Sequence, residues 1–440
     1  MLCDTKTTDE DLVRAATIVP VNDLSLFLPC AAGVESLLAQ EVHALTGRLG
    51  EDLLTLRGGV RVRGAWRDAL VLNLRSRLAQ RVLIELAHAP YRGEDDLYTI
   101  AGGVAWELWF TPKQTFKIET TAQHSPLRSL NFATLRIKDA IVDRFRDRAG
   151  GVRPSIETQW PDARVFAHLT SEHCTLYIDT SGEPLFKRGW RQDKGDAPLK
   201  ETLAAAMLAA SGWWNPETGA VSEQALYDPC CGSGTIVIEA AQIARGIPAG
   251  AQRRFGFEKL LPFQPHVWSA LKAEAMASAT ASSPPIFGSD VSHRMVDFAE
   301  RNAERAGVAD AVQFRGGDAL QRMPPAASGL IVLNPPYGER IEVGGVARGR
   351  RGEGAPPAAQ GREQAMTDDG GEFFVQLASH WKKHYAGWTA WVLTPDLQLP
   401  RRMRLKESRR VPMWNGPIEC RLFRFDMVAG SARARTQEPA

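Results

Sequence analysis

The segment with the clearest chemical potential is Asn334-Pro335-Pro336-Tyr337, which follows a predicted strand, Leu330 to Leu333. Two successive prolines remove two backbone donors, so this turn presents carbonyl acceptors in a stiff frame. The Asn334 side-chain oxygen and the Pro335 carbonyl could accept both hydrogens of an amino group and orient its lone pair towards a methyl donor. The Tyr337 ring offers a surface for an extruded base. Taken alone, the tetrapeptide fits a rigid proline turn with a capping asparagine equally well.

A glycine-rich turn lies upstream, in Asp228-Pro229-Cys230-Cys231-Gly232-Ser233-Gly234-Thr235, between a short strand and an apolar helix. Glycines here let the backbone approach a ligand at the carboxyl edge of a parallel sheet. No lysine follows them, as a Walker loop requires, and Val237 stands where the dinucleotide fingerprint needs glycine. A plain tight turn is the alternative, but the full string favours a nucleoside cofactor. The predicted cofactor contacts in this turn are Asp228, Cys230, Gly232, Gly234 and Thr235.

Two further aspartates follow later strands of the same series. Asp290 ends the second strand, where a carboxylate could accept both ribose hydroxyls of a nucleoside, although a role at the start of the next helix is the alternative. It lies farther from the glycines than the usual spacing of about 20 residues, so the assignment requires residues 246–284 to form an ordered insertion. Asp318 follows the third strand and could bind an adenine amino group, or simply stabilise its own turn.

The elements that must position these residues alternate between strand and helix from about residue 200 onwards. This alternation predicts an α/β domain with a doubly wound parallel sheet. Asn415-Gly416 then separates two strand-like runs, which predicts an antiparallel hairpin. A parallel sheet closed by such a hairpin is the Rossmann-like layout of class I methyltransferases. Residues 342–371 are rich in Gly, Arg and Ala without periodicity, and we interpret them as a mobile loop.

Two smaller units precede this domain. Residues 22–92 follow the order βαββαβ, which predicts a ferredoxin-like α+β domain. Residues 93–185 contain further strands and an amphipathic helix, Leu130 to Arg148, with Gly150-Gly151 as its stop signal.

Bulk composition fits a globular protein of two or three domains: the chain has 440 residues, with 44% hydrophobic and 24% charged. It contains no apolar run of about 18 residues and no secretory signal, so we expect a cytoplasmic protein without a membrane span. Six cysteines form no CxxC pair, which predicts free thiols and no bound metal.

The net charge is only +2, but basic residues cluster in three runs. Solvated helix faces explain any single run, whereas three together favour a polyanionic partner. The runs are Arg136, Lys138, Arg144, Arg146, Arg148 and Arg153; then Lys187, Arg188, Arg191 and Lys194; and finally Arg401 to Arg410.

The chain resembles the THUMP-containing RNA guanine-N2 methyltransferases, in particular the bacterial 23S rRNA enzymes. The strings that carry the resemblance are Leu185 to Arg191, Ala197 to Ala204, the glycine turn, Phe255 to Glu258 and Asn334 to Arg340. The resemblance implies S-adenosylmethionine as cofactor, RNA as partner and Asn334, Pro335, Pro336 and Tyr337 as the target-base pocket. It also implies cofactor contacts from Lys200 and Thr202, and RNA contacts from Arg136, Lys138, Lys187, Arg188 and Arg191.

The resemblance makes residues 93–185 a THUMP domain and 190–428 the methyltransferase domain, with tails at 1–21 and 429–440. Cys230 stands where the family more often has Met or Phe. Long bacterial members carry a second methyltransferase domain that makes 7-methylguanosine. With one glycine turn and one Asn-Pro-Pro-Tyr, these 440 residues do not imply that activity.

Three alternatives stay open. The amino group could belong to a tRNA guanine, or to adenine N6 in DNA, because Asn-Pro-Pro-Tyr suits both. An RNA-binding protein with a decayed cofactor site is the non-enzymatic alternative.

Overall fold

The computed structural model describes residues 22–195, 198–335 and 370–428, with side chains from Glu372 onwards in the last range. The described residues form two compact units. The first contains the chain up to Cys30, Leu38–Arg188 and Pro248–Ala277. The second contains Ala31–Leu37, Gly189–Ile247 and the chain from Ser278 onwards. In the described part, no helix is both long and apolar enough to cross a membrane.

The first unit is built on one seven-stranded sheet in the order β2-β3-β1-β4-β7-β6-β5. Its first four strands and two helices follow the order βαββαβ, so the predicted ferredoxin-like fold is confirmed. The strands are β1 (Leu24–Pro29), β2 (Leu53–Leu56), β3 (Gly59–Gly64), β4 (Leu83–Pro90), β5 (Phe116–Ala122), β6 (Ala163–Leu169) and β7 (His173–Asp179), and the helices are α1 (Glu35–Thr46), α2 (Trp66–Arg75), α3 (Glu94–Gly103) and α4 (Leu130–Arg148).

Strand β4 pairs antiparallel with β7, so the two modules predicted at residues 22–92 and 93–185 share this sheet. Helix α4 has its predicted bounds because Ser129 accepts a hydrogen bond from the Phe132 amide, a helix cap. Gly150 and Gly151 follow the helix with positive φ angles of 61° and 86°, which glycine adopts without a Cβ clash.

The second unit contains another seven-stranded sheet, in the order β10-β9-β8-β11-β12-β14-β13. Strands β8 to β12 are parallel, and β13 and β14 form the predicted antiparallel hairpin. The strands are β8 (Ala225–Asp228), β9 (Ile286–Asp290), β10 (Val312–Gly316), β11 (Gly329–Leu333), β12 (Trp388–Thr394), β13 (Arg409–Asn415) and β14 (Ile418–Asp426), and the helices are α5 (Glu201–Ala210), α6 (Thr235–Ala244), α8 (His293–Arg305), α9 (Gly370–His384) and α10 (Leu399–Met403). Helix α7 (Pro265–Ala277) lies between α6 and α8 along the chain but belongs to the first unit.

The order of this sheet reverses between β8 and β11. From β8 the chain proceeds to β9 and β10 on one side, and then returns to place β11 and β12 on the other. Such a reversal opens a crevice beyond the carboxyl ends of the two strands, where doubly wound proteins bind their ligands. The glycine turn follows β8 and Asn334 follows β11, so the topology brings both predicted motifs to this crevice.

Residues 246–284 are ordered, as predicted, with a short 3-10 turn and helix α7. Most of this insertion, Pro248–Ala277, packs in the first unit, although the sequence assigned it to the methyltransferase domain. The reason is an aromatic cluster: the buried Phe257 ring lies 4.9 Å from Trp268 and 6.4 Å from Trp66, centroid to centroid. The predicted tails, and the loop at 342–371 up to residue 369, lie outside the described residues.

Candidate active site

The glycine turn crosses from β8 to α6 with two residues in the left-handed region. Gly232 has a φ of +53° and open space where a Cβ would stand. Gly234 has a φ of +87°, and a Cβ there would lie 3.0 Å from the Cβ of Ala299 in α8. Both positions therefore favour glycine, Gly232 through its conformation and Gly234 also through close packing.

Asp228 ends β8 with its carboxyl group almost fully buried. Burial raises the pKa of Asp228 to about 8, and the negative charge of Asp290 adds to this increase. A hydrogen bond from the Cys230 amide, at 3.0 Å from Oδ1, opposes the increase. Burial also raises the pKa of the Cys230 and Cys231 thiols well above the usual range, so neither is an activated nucleophile.

Asp290 ends β9 and holds the glycine turn in place. Its Oδ2 accepts a hydrogen bond from the Gly232 amide at 2.9 Å, and its Oδ1 accepts one from the Ser292 amide at 3.0 Å. Ser292 is thereby kept in an extended conformation, and α8 begins at the next residue, His293. Burial raises the pKa of Asp290 as well.

Asn334 follows β11, and its side-chain oxygen is buried without a hydrogen-bond partner among the described residues. Leaving a buried acceptor unpaired costs about 1–3 kcal/mol, which a bound donor would offset. The next residue, Pro335, is buried. Pro336 and Tyr337 lie outside the described residues, so their predicted roles stay predictions.

A cavity of about 180 Å³ lies at this crevice, within the second unit. It brings together five of the predicted site residues: Asp228, Cys230, Gly232, Thr235 and Asn334. The remaining lining residues are Gly195, Pro198, Leu199, Cys231, Ser233, Ile236 and Met295.

Five other predicted cofactor residues do not line this cavity: Gly234, Asp290, Asp318, Lys200 and Thr202. Asp318 accepts a hydrogen bond from the Leu320 amide at 2.9 Å, which fits the alternative of a turn aspartate. Lys200 precedes the first residue of α5, and Thr202 is buried within that helix. Adenine and cofactor contacts from these residues stay predictions.

The structure contradicts the predicted RNA contact of Arg188. Its side chain is buried, and its guanidinium donates hydrogen bonds to the carbonyls of Leu185 and Arg77 at 2.9 and 2.8 Å. A buried cation that satisfies carbonyls stabilises the fold and has no surface to offer to a phosphate. Lys187 differs, because it is on the surface and pairs with Glu183 at 2.7 Å, so its predicted RNA contact stays open.

Arg191 also has an internal role. Its side chain is only 10% exposed and forms an ion pair with Glu201 at 3.0 Å. It donates further hydrogen bonds to the Leu199 carbonyl and the Thr235 hydroxyl, at 2.8 and 2.9 Å. Arg191 therefore joins two residues that line the cavity, whereas the family resemblance implied an RNA contact for it.

The first unit contains a separate groove of about 600 Å³ along helix α4. Arg136 and Lys138, predicted to contact RNA, line it together with two further cations, Arg146 and Arg153. Carboxylates compensate in part: Arg136 pairs with Asp95 at 2.7 Å, and Lys138 and Arg146 pair with lining aspartates. Four cations against these three carboxylates leave the groove with a net charge of +1.

Several of the residues that line the cavity were not predicted from the sequence. Pro198 and Leu199 lie in the string Ala197 to Ala204, which carries part of the family resemblance, so this string could have indicated them as site residues. Met295 could not be predicted as a lining residue, because in the sequence it resembles any other apolar position of a helix. In the described part of the chain, no group of three His, Cys, Asp or Glu side chains is arranged to hold a metal ion.

Three parts of the chain match models of known domain families. Residues 25–83 match the RlmL ferredoxin-like domain, 91–179 the THUMP domain, and 188–347 the RMKL-like methyltransferase domain. The last match covers both the glycine turn and Asn334, and the sheet order agrees with it. The chain contains a class I methyltransferase domain. It is preceded by ferredoxin-like and THUMP domains, as the sequence predicted.

Full-length relatives are larger than this chain. The "Ribosomal RNA large subunit methyltransferase K/L" of Psychromonas ingrahamii is 34% identical over 409 residues, which are 91% of this chain and 50% of that protein. The protein of the same name from Shewanella pealeana is 37% identical over 367 residues, 82% of this chain and 47% of that protein. The chain thus spans about half the length of the curated relatives it matches.

Solved structures match most of the chain. A protein assigned as a methyltransferase and crystallised with SAH has a TM-score of 0.77 and 25% identity, covering 92% of this chain and 98% of that one. A predicted N6-adenine-specific DNA methylase from Listeria monocytogenes has a TM-score of 0.76 and 26% identity, covering 92% and 97%.

Proposed function

We propose that the chain transfers a methyl group from S-adenosylmethionine to the exocyclic N2 amino group of a guanosine in 23S rRNA. The observation that carries this proposal is the buried, unpaired oxygen of Asn334 in the cavity beside the glycine turn. The names of the curated relatives support an rRNA substrate. The SAH in one solved relative supports the cofactor.

The residues of the cavity suit this cofactor. Gly232 leaves open space above the turn, and Asp228 lines the cavity beside it. The cationic amino-acid end of a bound donor would lower the pKa of the Asp228 carboxyl group and pair with it. Asp290 holds the Gly232 amide and has lone pairs to spare for ribose hydroxyls. When bound, S-adenosylmethionine supplies the methyl carbon, which joins the nitrogen as sulfur leaves with the electrons of the broken bond and a nitrogen proton passes to water.

The chain's own contribution is to bind and orient the target. The Asn334 oxygen accepts one N–H of the amino group and holds its lone pair towards the cavity. Positioning of this kind supplies a large part of the rate in a transfer between two bound groups. No activated base is required, because the sulfonium donor is already highly electrophilic.

The groove along α4 supports RNA as the partner. Arg136, Lys138, Arg146 and Arg153 line it with the spacing of one helix face and its neighbouring loop. Cations in a groove attract the phosphate backbone independently of sequence. Recognition of the base itself then belongs to the cavity that contains Asn334.

One observation favours a second candidate, adenine N6 methylation of DNA. The Listeria relative carries that name at 26% identity, and the same Asn334 oxygen could accept an N–H from adenine. The THUMP match at residues 91–179 favours RNA over this alternative. A tRNA guanine is the remaining substrate within the RNA class.

The proposal is tested first by calorimetric titration of the purified chain with S-adenosylmethionine and with SAH. We expect micromolar binding of both. Absence of heat with either would refute the enzymatic assignment and leave an RNA-binding protein.

The second test replaces the unpaired acceptor. Asn334→Ala should bind SAH as the wild type does but lose methyl transfer to RNA by about 100-fold or more, as expected for a positioning contact. Asn215→Ala, at a turn in the same unit, is the matched control and should retain turnover. Full activity in Asn334→Ala would show that the target pocket lies elsewhere.

A further inference from the structure

Helix α8 contains a fully buried polar residue, Asn302, whose side chain hydrogen-bonds two separate segments of the second unit. Its Nδ2 donates to the Ser233 carbonyl in the glycine turn at 3.1 Å and to the Asp193 carbonyl at 2.8 Å. Its Oδ1 accepts from the Gln192 and Asp193 amides, both at 3.3 Å. One side chain thus connects the glycine turn to the segment that precedes α5.

That preceding segment forms one wall of the cavity. Gly195, Pro198 and Leu199 line the cavity together with residues of the glycine turn. The Asp193 side chain adds a surface anchor, since it pairs with Arg301 at 3.1 Å and with Arg305 at 2.6 Å. These two cations lower the pKa of Asp193, so the anchor is charged at neutral pH.

Asn302 lies on the face of α8 that packs against the glycine turn. Met295, Ala299 and Asn302 recur at intervals of four and three residues, and therefore lie on one side of the helix. Met295 lines the cavity, Ala299 packs against Gly234, and Asn302 binds the Ser233 carbonyl. The helix therefore contacts the glycine turn through apolar packing and one hydrogen bond, and the segment that precedes α5 through further hydrogen bonds.

We propose that Asn302 is a positioning residue of the donor site, which fixes the spacing between the glycine turn and the wall at Gly195 and Leu199. The inference rests on the proposed function, because it takes the cavity to be the donor site. Asn302 does not line the cavity and acts through the two segments that it holds. Its loss should therefore weaken donor binding and leave RNA binding unchanged.

The test compares three variants of the full chain. Asn302→Ala removes all the hydrogen bonds, and Asp193→Ala removes only the surface ion pairs, so a folded variant is available if the first one fails to fold. Asn215→Ala is the control, since the Asn215 side chain accepts hydrogen bonds within its own turn, from the amides of Glu217 and Thr218. The measurements are the Kd for SAH, the KM for donor and for RNA, and hydrogen exchange of the amides at 191–195 without ligand.

We expect Asn302→Ala to raise the Kd for SAH and the donor KM by about 10-fold or more, with the RNA KM unchanged. Asp193→Ala should raise the Kd for SAH and the donor KM by a smaller factor. Asn215→Ala should leave both constants unchanged. Hydrogen exchange of the amides at 191–195 should become faster in both Asn302→Ala and Asp193→Ala, even without ligand. Unchanged donor Kd and unchanged exchange in folded Asp193→Ala and Asn302→Ala would overturn the inference.

Failure of the proposed function has a different signature. If the wild type binds no SAH while exchange at 191–195 still rises in Asn302→Ala, then the connection between the segments is real and the donor assignment is wrong. If the wild type binds SAH and Asn302→Ala binds it equally well, then the donor assignment stands and the role of Asn302 is wrong.

Discussion

Gly234 allows a quantitative test of the glycine turn. An alanine there would adopt a φ of +87°, which costs about 1–2 kcal/mol for an L-residue. Its Cβ would also lie 3.0 Å from both the Ala299 Cβ and the Ile238 Cδ1, and overpacking of this kind costs typically about 1–3 kcal/mol. Gly219 is the matched control, because its φ is +72° and a Cβ added there would meet nothing within 4 Å.

Both substitutions share the φ penalty and the loss of unfolded-state entropy, so their difference isolates the contact with α8. We expect Gly234→Ala to unfold more easily than Gly219→Ala by about 1–3 kcal/mol, measured as the shift of the urea midpoint by circular dichroism. It should also weaken SAH binding, whereas Gly219→Ala should not. Equal midpoints for the two variants would refute the close packing of the glycine turn against α8.

Three further predictions concern single side chains. Because burial raises the pKa of Asp228 to about 8, the folded chain keeps a proton that the unfolded chain releases above about pH 4. The free energy of unfolding should therefore fall by up to about 1.4 kcal/mol per pH unit between about pH 4 and pH 8. Asp228→Asn should flatten this decline, measured by urea titrations at several pH values. An unchanged slope in this variant would contradict the raised pKa of Asp228. Arg188→Ala should destabilise the chain by about 2–5 kcal/mol in urea unfolding while Lys187→Ala changes stability little, and equal stabilities would argue against the buried role of Arg188. Arg153→Ala should lower RNA affinity and reduce the salt dependence of binding by about one phosphate contact in filter-binding assays, and an unaltered salt slope would exclude the α4 groove from the RNA interface.

Much of the fold could be predicted from periodicity and turn residues. The order βαββαβ, the bounds of α4, and the hairpin at Asn415-Gly416 all depend on local patterns, which are present in the sequence. The placement of residues 248–277 in the first unit could not be predicted. It depends on the contacts of Phe257 with distant aromatic residues, and such contacts leave no local pattern.

In the candidate site too, local patterns predicted some residues, whereas the roles of others depend on contacts between distant parts of the chain. The sequence singled out Asp228, Gly232 and Asn334 because each follows a strand of a doubly wound sheet or ends one, where side chains converge. It misjudged Arg188 because a basic run looks the same whether its cations are exposed or buried. It did not find Asn302 at all, because a single asparagine in a helix gives no sign that it joins two segments.

Direct evidence on the central claim comes from mass-spectrometric analysis of nucleosides in ribosomal RNA from a strain that lacks this gene. We predict that N2-methylguanosine is lost from one position of 23S rRNA, returns with the wild-type gene, and does not return with Asn334→Ala. An unchanged N2-methylguanosine content in the deletion strain would contradict the proposed function.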